Sequence, residues 1–233
     1  MFTRLLTSAL FAGAASGLII ALLQLYFVQP VLLHAELYEA GELVHFGSDS
    51  TVTAAPELPG FDAVRDGLSI VFTMLIYSGY AMVLVVLMSL AETRGARIDA
   101  RAGILWGVAG FVAVHLAPGF TLAPEVPGVA AADVEPRQLW WFATVLASAI
   151  AMWLIAFGRN WAAWACAVVL LLAPHVIGAP EPEVFTGPVP TEIGALFASR
   201  ALGIGLVAWV ILGSFAGFFW ARENETAGYA RAT

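Results

Sequence analysis

The sequence predicts an all-α, polytopic membrane protein: six transmembrane helices in three hairpins, with both termini cytoplasmic. Three observations carry this. Of 233 residues, 61% are hydrophobic and 12% charged, with a mean hydropathy of +0.86; a soluble domain is about half apolar and about a quarter charged. The excess is gathered in long runs that suit helices crossing roughly 30 Å of hydrocarbon. These runs do not alternate as barrel strands do, and backbone groups in lipid must bond internally. The third observation is the placement of the arginines, which supply every basic residue. Arg4, Arg94, Arg97, Arg101, Arg159, Arg222 and Arg231 fall on one side of the predicted spans; Arg65, Arg137 and Arg200 lie towards the other. Basic residues favour the cytoplasmic face.

The chain reads as a single transmembrane domain, 1–233, with helices at about 5–28, 63–91, 102–117, 137–157, 161–177 and 193–220. The first run is too long for a signal-peptide core of about 7–15 residues. It is expected to end at Gln29-Pro30. A long polar connection follows, with helical potential over Val31 to Phe46 and turn-forming residues from Ser48 to Gly60. It carries His34, Glu36, Glu39, Glu42, His45, Asp49, Glu57 and Asp62. The third helix is expected to stop near Ala117, because Pro118, Pro124 and Pro127 fix φ and remove donors. The stretch from His115 to Gly128 is then a rigid loop at the membrane surface. The fifth helix is expected to end near Pro174, before a second proline-rich loop. A polar tail follows the sixth helix, from Ala221 to Thr233. The outer loops are about 29–62, 118–136 and 178–192. In this frame each odd helix ends at a proline with a histidine nearby, and each even helix opens with an arginine.

Chemistry concentrates on the outer side. All four histidines are placed there, with thirteen of the seventeen acidic residues. Imidazole with carboxylate suits a borderline divalent metal such as cobalt, nickel or zinc. Neutral imidazole is the ligand, so capture should weaken as pH falls through the histidine range. The candidate metal contacts are His115, His175, Glu125, Glu181, His34 and His45. The plainer reading makes the histidines interfacial residues with apolar bodies and wet tips. Within the spans, Gln24, Thr73, Ser78, Thr144 and Ser148 are the main polar groups, and Gln24 is the candidate to line a path. No charged residue lies at a predicted midplane, which argues against proton coupling through this chain alone. Gly13-xxx-Gly17, Gly103-xxx-Gly107 and Gly213-xxx-Gly217 allow close helix crossing inside the bundle. Cys166 is the lone cysteine, a small hydrophobe excluded from any disulfide within the chain. The net charge of −7 argues against nucleic acid as a partner. No nucleophile elbow, phosphate-binding glycine loop or HExxH motif is present. The expectation is therefore a non-enzyme without a tightly bound cofactor, embedded in a lipid bilayer. Two alternatives stand beside a transporter: a membrane scaffold without a pore, and a metal-dependent intramembrane hydrolase.

Several segments together resemble a known family: Phe2-Thr3-Arg4-Leu5-Leu6 through Leu22-Leu23-Gln24, and Leu37-Tyr38-Glu39; Leu116-Ala117-Pro118 with Pro124-Glu125-Val126-Pro127-Gly128; Arg137-Gln138-Leu139-Trp140-Trp141; and Ala173-Pro174-His175-Val176-Ile177-Gly178-Ala179-Pro180. In this order, and over nearly the whole chain, they look like the CbtA family, described as predicted cobalt transporter subunits of bacteria. The resemblance implies cobalt uptake across the inner membrane, feeding cobalamin synthesis. It also implies a small partner, CbtB, with one transmembrane helix and a histidine-bearing segment. The first outer loop holds fewer histidines than the family pattern implies, which moves weight to His115 and His175.

Overall fold

The computed structural model describes residues 1–45 and 57–232, the last six of these by backbone only. Asp49 and most of the turn-rich Ser48 to Gly60 reading lie outside the described residues. Among those described, the chain is helical throughout: α1 (Phe2–Phe27), α2 (Gln29–Glu39), α3 (Ala63–Glu92), α4 (Ala100–Phe111), α5 (Ala117–Thr121), α6 (Val134–Phe157), α7 (Trp161–Ile177) and α8 (Thr191–Ala232). A single π-helical turn, Val112–Leu116, joins α4 to α5. Five helical segments are long and apolar enough to cross a membrane, and α7 is a shorter apolar helix of 17 residues. This is the architecture of a polytopic membrane protein.

Local chemistry sets the helix starts. Asp62 caps α3, its Oδ1 accepting from the backbone N–H groups of Val64 (3.0 Å) and Arg65 (2.7 Å). Asp66 returns the contact by accepting from the Asp62 N–H at 3.0 Å. Asn160 caps α7 through Ala163 N–H at 2.9 Å. These acceptors satisfy donors that a helix leaves free at its first turn.

α1 ends at Phe27, just before Gln29-Pro30, and α7 spans Trp161–Ile177, both as expected, whereas Pro118 does not stop its helix. Pro30 and Pro118 stand in the first turns of α2 and α5, where the missing N–H would have had no partner. Pro174 lies inside α7, which runs on to Ile177. The helix after His115 therefore continues to Thr121 and stops just before Ala123-Pro124, where the residue preceding proline is driven out of the helical region. In α7 the terminator is Gly178, with φ +87°, a conformation that glycine adopts without steric cost. The expected polar tail is also corrected, because α8 continues to Ala232. Its polar extension from Ala221 to Ala227 holds good helix formers and no proline. Arg4 Nη1 donates to Asn224 Oδ1 at 2.8 Å, holding the extension to α1.

The chain forms two compact units. Residues 1–25, 61–111 and 204–233 make the first; residues 26–60 and 112–203 make the second. The first unit is built on glycine. A Cβ on Gly13 or Gly17 would strike the backbone of Ser78 or Met74 on α3. One on Gly103, Gly107, Gly213 or Gly217 would strike backbone across the α4–α8 crossing. All three GxxxG motifs thus pack inside this unit, letting backbones approach where lipid supplies no hydrophobic drive. Its intramembrane polar groups are largely engaged. Thr73 Oγ1 donates to Gln24 Oε1 at 3.2 Å, and Ser78 donates to the Met74 carbonyl at 2.7 Å.

Candidate functional site

All four histidines and every candidate metal contact fall in the second unit. This unit carries eleven acidic residues and three arginines; the first carries six and seven. The negative charge of the protein is therefore concentrated where the imidazoles are. The three segments expected to form outer loops do not stand apart. Val31 and Ala35 of α2, Val126, and Val189 with Ile193 form one buried apolar cluster, and Tyr38, Val129 and Phe197 pack against it. Ala130 N–H donates to the Thr186 carbonyl at 2.9 Å. Beside it, a Cβ on Gly187 would meet the Gly128 carbonyl oxygen at 2.7 Å. The loops form a small packed cap with its own core. A cleft of about 520 Å³ opens on it, lined by residues including His45, Phe185, Thr186 and Thr191.

The cap brings His34 and His45 to the same tyrosine. The Tyr38 ring centroid lies 5.6 Å from that of His34 and 6.5 Å from that of His45. His34 and Tyr38 are one helical turn apart on α2, so their side chains share a face. Partial burial holds the His34 imidazole below its ordinary pKa, because desolvation penalises the charged ring. It favours the neutral form that a metal requires.

His175 sits in the last turn of α7. Its Nδ1 is 2.5 Å from Thr121 Oγ1. Phe120 meets the ring edge-on at 5.3 Å, and the Trp140 ring lies at 6.3 Å. Trp140 Nε1 donates at 3.2 Å to the carbonyl of Pro174, the residue before His175. The ring is thus oriented by neighbours from α5 and α6, with Nε2 left for another partner. His115 lies half-buried on the π-turn. That turn and α7 both pack against α6.

The carboxylates divide. Glu125 accepts from Arg137 Nη2 at 2.6 Å, so its charge is matched within the protein. Glu181 is exposed on the loop after α7. Among the described residues, no three His, Cys, Asp or Glu side chains converge to hold a metal ion. The three arginines on the acidic side each have a local partner. Arg65 pairs with Asp66 at 2.7 Å, Arg137 pairs with Glu125, and Arg200 Nη1 donates at 2.8 Å to the Phe27 carbonyl at the end of α1. Sequence reasoning missed Tyr38, Thr121 and Trp140 as neighbours of the histidines. Only the i, i+4 spacing of His34 and Tyr38 was there to be read.

No curated protein and no solved structure matches the chain. A comparison with protein families matches residues 2–221 to the family described as probable cobalt transporter subunit (CbtA). The match reaches both units and takes in every apolar helix, α8 as far as Ala221, and the chain belongs to the CbtA family.

Proposed function

We propose that the protein is the integral subunit of a cobalt uptake system in a bacterial inner membrane, and that divalent metal is first captured at its outer cap. One observation carries this reading: the imidazoles and the excess carboxylates lie in the same compact unit. A field of one sign raises the local concentration of cations. The absence of three converging ligands among the described residues suits such a role, since an ion that must move on has to be held weakly and at several positions. His115 and His175 are the proposed imidazole contacts, with His34 and His45 at the Tyr38 face. Glu181 and Glu125 add charge, Glu125 less so while Arg137 is bound to it. Gln24 is proposed to line the path through its amide, its carbonyl being engaged by Thr73. In this reading both termini face the cytoplasm, as the distribution of arginines supports.

The same scarcity of ligands favours a second reading, in which this chain is an accessory scaffold. A small single-helix subunit of the CbtB type would then complete the coordination sphere. Cobalt accumulation in cells carrying the His115→Ala/His175→Ala double variant tests the site. A drop of tenfold or more is expected, and undiminished uptake removes both histidines from it. Cobalt flux into liposomes holding only this chain separates the two readings, because a scaffold gives none.

A further inference from the structure

We propose that Thr121 is a positioning residue that sets the tautomer of His175, holding the proton on Nδ1 and presenting the Nε2 lone pair outward. This rests on the reading of His175 as a metal contact. The 2.5 Å approach of Oγ1 to Nδ1 is the only hydrogen bond made by the His175 ring among the described residues. With Thr121 exposed, water can accept its hydroxyl proton, which lets Oγ1 accept from Nδ1–H. A ligating imidazole nearly always donates its second ring N–H to an oxygen acceptor, commonly a carboxylate, a backbone carbonyl or water, which fixes both tautomer and orientation, and a hydroxyl oxygen offers the same lone pair. Phe120 and Trp140 pack against the ring and limit its rotation.

The π-turn delivers this contact. One extra residue inserted over Val112–Leu116 rotates everything after it by about 100° relative to an unbroken α-helix. Without it, the direction taken by Thr121 would belong to Phe120. The hydroxyl would then be lost from the Nδ1 edge of His175, whose ring Phe120 already meets. Pro118 suits the arrangement, because it sits at the restart of the helix, where no N–H is needed.

The test uses the full-length protein, ¹⁵N-labelled at histidine in detergent, with His175→Gln identifying the His175 resonances. The wild type should show a protonated Nδ1 and a pyridine-like Nε2. Thr121→Val should move the proton to Nε2, and Thr121→Ser should keep it on Nδ1. Added Co²⁺ should broaden the His175 signals, with the midpoint raised about tenfold in Thr121→Val and restored in Thr121→Ser. A wild-type proton on Nε2, or a tautomer indifferent to Thr121→Val, overturns the proposal. Should the tautomer respond as stated while Co²⁺ leaves His175 unbroadened, Thr121 keeps its role and the metal reading of His175 falls.

Discussion

Single side chains in the cap already determine its response to pH and charge. The partly buried His34 imidazole has a folded-state pKa below its unfolded value near 6.5. The unfolded chain therefore binds more protons, and stability rises with pH through this range. Acidification from pH 7.5 to 5.5 should lower the melting temperature, and His34→Gln should flatten that slope. An unchanged slope in the variant, followed by tryptophan fluorescence, would remove His34 as the sensor. The Glu125–Arg137 pair makes a second prediction. Arg137→Gln frees one carboxylate at the cap, so Co²⁺ should bind more tightly by calorimetry, in contrast to the loss expected from a purely structural pair.

At the scale of elements, the first unit depends on helices that touch backbone to backbone. Gly107→Leu would drive a branched side chain into the Trp209 carbonyl at the α4–α8 crossing. Overpacking of this kind costs about 1–3 kcal/mol or more. The expected outcome is a clear fall in melting temperature, whereas Gly79→Leu on α3 should be nearly silent, since a Cβ there meets nothing within 4 Å. Equal effects from the two would remove the crossing as the cause. Prolines also work at this scale. Pro118 was expected to be a helix end, yet it stands at a helix restart, while Pro30 opens a new helix just after α1 ends and Pro174 lies within the last turn of α7. A proline removes an N–H donor and disfavours a helical residue before it, but it does not forbid starting a turn. Near two of these prolines, backbone carbonyls also accept from distant parts of the chain: Trp140 donates to Pro174 and Arg200 to Phe27.

For the whole molecule, topology and transport are the properties to test. With Cys166→Ala as background, a single cysteine at Asp133 or Glu181 should react with a membrane-impermeant maleimide on intact spheroplasts. One at Arg159 should react only after permeabilisation, and the reverse pattern would invert the orientation. Cobalt uptake should also fall as external pH drops from 7.5 to 5.5, because protonated imidazole does not ligate metal.

The sequence by itself determined the helical membrane class, because hydrocarbon leaves so few backbone solutions that composition and run length suffice. It also determined the approximate positions of the apolar helices and, through its loop motifs, the family. The tertiary structure alone decided which side chains meet. Nothing in the spacing of Thr121 and His175, 54 residues apart, foretells their hydrogen bond. It needs α5 and the end of α7 to be brought together, and α5 follows directly on the π-helical turn. The three outer loops likewise read as separate polar connections. Their small apolar residues, Val31, Ala35, Val126, Val189 and Ile193, form a core only when brought together. A periodic run announces its own burial, but isolated valines in loops do so only through partners that the fold supplies.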